Sequence, residues 1–156
     1  MTGLNNDLSE SSVRAFWSRA GARVPALAGR PIADVFSFGG GEMADRLLRL
    51  VLDGVKTATA ALPMDFGPQR SIPRPGDLSV VLDGSGRPRC VIETTELRRL
   101  AASAVDAAFV LDYGEGDRTL EWWRAKGAPY YARLAGRPGE EVELLCERFR
   151  VVYAER

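Results

Sequence analysis

The chain has 156 residues, 21 Lys and Arg cancelled by 21 Asp and Glu, and no histidine. That length suits one domain with one sizeable core, and the cancelled charge argues against a protein that coats nucleic acid non-specifically, which needs excess positive charge. Without imidazole, Ser-His-Asp and Cys-His nucleophile pairs and nearly every zinc site are excluded, which leaves Lys, Glu, Asp, Thr, Ser, Tyr and Cys for catalysis, or a hard cation on carboxylates.

Residues 1–10 are polar and lack a basic-then-apolar leader pattern. No apolar run reaches the roughly 18 residues of a membrane span, so a cytoplasmic protein with no membrane contact is expected. Residues 9–20 read as a helix that Ser9, Ser11 or Ser12 caps, with Val13, Phe16 and Trp17 on one face. A Gly/Pro/Arg-rich connector over 25–31 precedes a short strand over 35–38. Gly39, Gly40 and Gly41 then form a turn, or a phosphate cradle that lacks the rest of a P-loop. Residues 42–52 give the clearest helix, with Met43, Leu47, Leu48, Leu50 and Val51 on a broad apolar face and Gly54 ending it. Residues 55–61 enter a strand, and 64–76 are a proline-rich loop. A strand over 78–82, a turn over 83–86 and a returning strand over 89–95 form a hairpin. Helices follow over 104–110, from a cap at Asp117 to about Lys126, and over 128–134, and a long strand covers 141–153. This order is not a βαβ series. It predicts an α+β fold: a small mixed barrel flanked by helices. Cys90 and Cys146 sit in apolar strands and read as reduced core thiols.

Only two of the 21 basic residues, Lys56 and Lys126, are lysine. The chain writes Arg wherever a surface cation suffices. A position that keeps Lys is a candidate for a compact ammonium able to lose its proton.

The segment Gly54-Val55-Lys56-Thr57-Ala58-Thr59 follows the amphipathic helix and matches a G-x-K-x-x-T signature. It is accompanied, in order, by Pro75-Gly76-Asp77, Val91-Ile92-Glu93-Thr94-Thr95, Gly114-Glu115-Gly116-Asp117-Arg118-Thr119-Leu120, Trp123-Arg124 and Cys146-Glu147-Arg148-Phe149. With these motifs the chain resembles the ASCH domain family, of the PUA-like superfamily. The resemblance implies residues 31–156 as a PUA-like β-barrel domain behind an N-terminal helical extension of 1–30. It also implies RNA-related work. Some bacterial members are similar to amidohydrolases that deacetylate N4-acetylcytidine, and others to ribonucleases. In the amidohydrolase branch the working groups are a Lys and a Thr of the signature and a Glu on a later strand, which match Lys56, Thr59 and Glu93.

Amide hydrolysis needs a nucleophile, a base and a proton donor for the leaving amine. Thr59 is the candidate nucleophile, Lys56 the base if burial lowers its pKa, and Glu93 the donor. Lys56 and Thr59 would face opposite sides of a regular strand, so the chain must bend near 54–56 for them to meet. Thr57, Tyr113, Glu115, Asp117, Arg118 and Trp122 are candidate substrate contacts, with Trp122 a stacking platform for a base. Glu115 and Asp117 are also candidates for a divalent metal such as Mn or Mg, should the chain be a ribonuclease; the amidohydrolase needs no cofactor. A third reading is a non-enzymatic RNA-binding module, in which Lys56 with Arg74, Arg87, Arg89, Arg98 and Arg99 contacts phosphate. The expected partner is a modified nucleoside or RNA, not DNA, and a homodimer stays open. Where family members of this length often carry a His after the Trp-Arg pair, this chain has Ala125-Lys126-Gly127.

Overall fold

The computed structural model of the protein describes residues 2–156, with side chains described from Ser9 onward. Among these residues the fold is α+β. Strands β1 (Asp34–Phe36), β2 (Ala58–Ala61), β3 (Leu78–Leu82), β4 (Pro88–Ala101) and β5 (Glu143–Ala154) form one sheet in the order β1-β3-β4-β5-β2. β1 runs parallel to β3, while β3 with β4 and β2 with β5 are antiparallel, so the sheet is mixed as expected. The order begins with β1 and ends with β2, and the expected barrel is only partly closed. No helix among the described residues is long and apolar enough to cross a membrane.

The chain divides into two compact units. The first runs to Leu52 and adds Asp77–Glu93 and Val151–Arg156. Helix α1 (Thr2–Arg23) extends beyond both predicted ends, and Val13, Phe16 and Ala20 recur at helical spacing along it. They share a core with Leu27, Leu78, Val80 and Val91. Each such side chain contributes roughly 1.5–3 kcal/mol on burial. Helix α2 (Gly41–Leu52) buries Ala44, Leu47, Leu48 and Val51 by the same rule. The β3–β4 turn is held by Asp83, whose Oδ1 accepts from the Ser85 backbone N, the Ser85 hydroxyl and the Arg87 N at 2.9, 2.7 and 3.0 Å. Burial works against its ionisation, yet these bonds win and hold the carboxyl down at about 2.

The second unit, Asp53–Gly76 with Thr94–Arg150, contains β2, the end of β4 and most of β5. Helix α3 (Ala107–Tyr113) is capped by Asp106, which accepts from Phe109 N. It supplies Phe109, Val110 and Tyr113 to a core with Ala58, Trp123, Tyr131, Leu144 and Cys146. Where the sequence suggests two helices, the chain makes one helical stretch: α4 (Leu120–Trp122), a π-helical turn (Trp123–Gly127) and α5 (Ala128–Leu134). The wide turn stands just before Pro129, which has no N–H to continue an α-helical ladder. The cap is Thr119, which accepts from Trp122 N, and not Asp117, which instead accepts from Thr119.

Candidate functional site

Helix α2 ends at Leu52, and Gly54, at φ 76°, turns the chain out of it. Regular strand resumes only at Ala58, so Val55, Lys56 and Thr57 form the bend that the sequence required. Both sides of the bend are tied down. Thr57 N donates to Asp112 O at 2.7 Å, and Phe149 N donates to Thr57 O at 3.0 Å. The bend turns the Lys56 side chain inward until none of it is exposed.

Glu115 and Tyr113 both receive the buried ammonium. Lys56 Nζ donates to Glu115 Oε2 at 2.8 Å and to Tyr113 O at 3.0 Å, and it lies 3.8 Å from the centroid of the Tyr113 ring. Burial lowers the Lys56 pKa from its ordinary value, and the charge and hydrogen bond of Glu115 oppose that shift. Glu115 itself is partly open, with 19% of its side chain exposed. The pair therefore has one end sealed and one end facing out.

Glycine fixes where Glu115 sits. Gly114 caps α3 at φ 76°, and a Cβ there would stand 2.6 Å from Val55 O and 2.7 Å from Lys56 Cα. Gly116, at φ 64°, lies against the Trp122 indole, which a Cβ would approach to 2.1 Å. Only glycine lets the loop press on the Lys56 backbone on one side and on Trp122 on the other. Arg118, also at positive φ, closes the loop by donating Nε and Nη2 to Leu111 O. Of the candidate substrate contacts, Tyr113 is buried beneath Lys56, Thr57 is tied to Asp112, Trp122 is half-buried on Gly116, and Asp117 is exposed and bound to Thr119. The two acids offered to a divalent cation are thus each bonded to a protein donor.

Thr59 lies in β2 opposite Glu147 of β5. Glu147 is 8% exposed and accepts from the Thr94 hydroxyl at 2.6 Å, while Thr94 is itself buried. Thr94 and Glu147 received no role from the sequence. The available signal was that Leu145 and Phe149, two residues to either side of Glu147, are apolar, so that face of β5 is covered. Glu93 pairs with Leu78 in the β3–β4 register and shares its face with Val91 and Leu78 of the first unit's core. A carboxylate on Lys56 Nζ is that of Glu115, a candidate substrate contact by sequence.

The fold has relatives. A family model described as the ASCH domain matches residues 34–153. The chain is similar to the ASCH domain from Lactobacillus crispatus JV V101, at 26% identity over 92% of this chain and 95% of that one, with a TM-score of 0.78. It is similar to protein EF3133 from Enterococcus faecalis V583, at 25% identity over 94% and 97%, with a TM-score of 0.77. Hypothetical protein PH0355, 12% identical with a TM-score of 0.50, shares the fold alone. No curated protein matches the chain. The matched span holds the bend, the lysine and the glycine-flanked glutamate, and with them the chain belongs to the ASCH domain family.

Proposed function

We propose that the chain is an amidohydrolase that removes an acyl group from a modified nucleoside such as N4-acetylcytidine, with Lys56 and Glu115 handling protons and Thr59 as nucleophile. The observation that carries this reading is the 2.8 Å contact between a fully buried lysine and a partly open glutamate. One proton hop from Nζ to Oε2 converts the ion pair into a neutral amine and a carboxylic acid. Burial of Lys56 favours that tautomer, because it penalises the ammonium. The pair then holds the base and the acid that amide hydrolysis needs, with no histidine.

In the first half-reaction Lys56 takes the Thr59 hydroxyl proton as Oγ1 attacks the acyl carbon. The C–N bond breaks, and Glu115 gives its proton to the departing N4 amine. Lys56 is now an ammonium, Glu115 a carboxylate and Thr59 an ester. In the second half Glu115 takes a proton from water, the hydroxide attacks the ester, and Lys56 returns a proton to the Thr59 oxygen. Lys56 and Thr59 are three residues apart, which bounds their separation along the chain at about 10 Å.

Incubation of the protein with N4-acetylcytidine and, separately, with labelled single-stranded RNA, each beside Lys56→Ala, tests this. Deacetylation that Lys56→Ala loses supports the proposal. RNA cleavage that the variant loses selects the ribonuclease instead. No change in either substrate overturns both enzyme readings and returns the RNA-binding module. Against that module, Arg89, Arg98 and Arg99 are each paired with a carboxylate, of Asp83, Glu96 and Glu143 respectively.

A further inference from the structure

Tyr113 meets Lys56 twice, with its carbonyl at 3.0 Å and its ring face at 3.8 Å from Nζ. Its hydroxyl is 2.8 Å from that of Tyr131, which donates to Ala60 O at 3.0 Å, so Tyr113 is the donor to Tyr131. Ala60 is the neighbour of Thr59 in β2. Both tyrosines are buried, and burial raises both phenols above their ordinary value, so the chain of hydroxyls stays protonated. The ring is wedged further by Trp123, edge-on at 5.3 Å between centroids. A tyrosine that served only to fill this core would need neither the ammonium over its face nor a relay to the strand of the nucleophile.

We infer that Tyr113, locked by Tyr131, is a positioning residue for Lys56: its ring face holds the ammonium against Glu115, and its hydroxyl chain ties that ring to the peptide beside Thr59. This deepens the amidohydrolase reading and rests on it for its meaning, not for its test. A ring face favours the ammonium over the amine. It therefore opposes burial, as Glu115 does, and keeps Lys56 able to take a proton and give it back. Glu115 is a charged group that faces Lys56, and the neighbouring Asp112 carboxylate bonds to Arg148 at 2.9 Å.

The scarcity of lysine makes the test direct. The 156-residue chain grown on lysine labelled with 13C at Cε carries label at Lys56 and Lys126 alone, and Lys126→Arg assigns the second signal. The titration is followed by NMR in buffer with EDTA. Tyr113→Phe keeps the ring but cuts the hydroxyl chain, and is expected to lower the Lys56 midpoint by less than about half a pH unit. Tyr113→Leu removes the ring and is expected to lower the midpoint by about one unit, a tenfold change in acidity. Tyr131→Phe cuts the hydroxyl chain without altering shape and should lower it by a smaller amount. It decides the matter if the leucine variant does not fold. A wild-type midpoint in the folded Tyr113→Leu protein, or in Tyr131→Phe when it stands alone, overturns the inference. Should Lys56 shift as expected in a protein that hydrolyses no acylated nucleoside, the functional reading falls and the positioning role stands. Lys56-dependent hydrolysis with unmoved midpoints sinks the positioning role alone.

Discussion

An ammonium taken out of water costs several kcal/mol, and the Glu115 carboxylate, the Tyr113 carbonyl and the Tyr113 ring offset that cost for Lys56. Replacing it with an apolar group of similar length removes the cost, and Glu115 keeps partial solvent access. Lys56→Met should therefore abolish hydrolysis while its melting temperature stays level or rises. The pH dependence has a defined sign. The folded pKa lies below 10.5, so across the window from the folded value up to 10.5 the unfolded chain binds more protons. Wild-type stability should rise with pH through that window relative to Lys56→Met, which urea unfolding of both proteins at neutral and alkaline pH reads out. A difference that falls instead would mean that the folded Lys56 pKa lies above 10.5, with the Glu115 contact outweighing burial. The two cysteines are the opposite kind of residue. Burial pushes the Cys90 thiol up to about 12 and the Cys146 thiol up to about 11. Neither should react with iodoacetamide in the native protein near pH 8, and both should once it is unfolded.

The loop from α3 to α4 is the element that makes the site, and it does so through close approach. Gly114→Ala would force its Cβ into Val55 O and Lys56 Cα at positive φ, neither of which is a flexible side-chain end. It should cost about 1–3 kcal/mol or more and reduce turnover along with stability, read by thermal melts and initial rates. In β4 and β5, Thr94→Val leaves the buried Glu147 without its hydroxyl donor and should cost about 1–3 kcal/mol in urea unfolding. The sequence made α2, Gly54, β3 and the hairpin turn legible, because apolar spacing, a helix-ending glycine and an Asp-Gly-Ser-Gly run are local signals. A bend near 54–56 was expected as well, and regular strand begins only at Ala58. The contact of Glu115 with Lys56 was hidden because a carboxylate between two glycines reads as a turn. Only the contact with Val55 and Lys56, 59 residues back in sequence from the glutamate for the ion pair, reveals what the glycines are for. The end of β4 was hidden as well: Arg98 and Arg99 look like a loop or a basic face until Glu96 and Glu143 are seen to pair with them.

At the scale of the whole chain, the order of elements was enough to exclude a doubly wound sheet and to give a mixed one, but strand register was not available from order alone. Register decides what shares a face: Glu93 with Leu78, and Thr59 with Glu147. Helix α1 is likewise more than an appendage. Phe16 is wholly buried in the first unit's core, so Phe16→Ala should cost about 3–5 kcal/mol, measured by denaturant unfolding. In the proposed reaction the acid working with Lys56 is Glu115 of the glycine loop and not Glu93 of β4. Initial rates of N4-acetylcytidine hydrolysis by wild type, Glu115→Gln and Glu93→Gln test it most directly. The expected result is a loss of about a hundredfold or more for Glu115→Gln and a rate close to wild type for Glu93→Gln. A wild-type rate in Glu115→Gln, with the loss in Glu93→Gln, would contradict it.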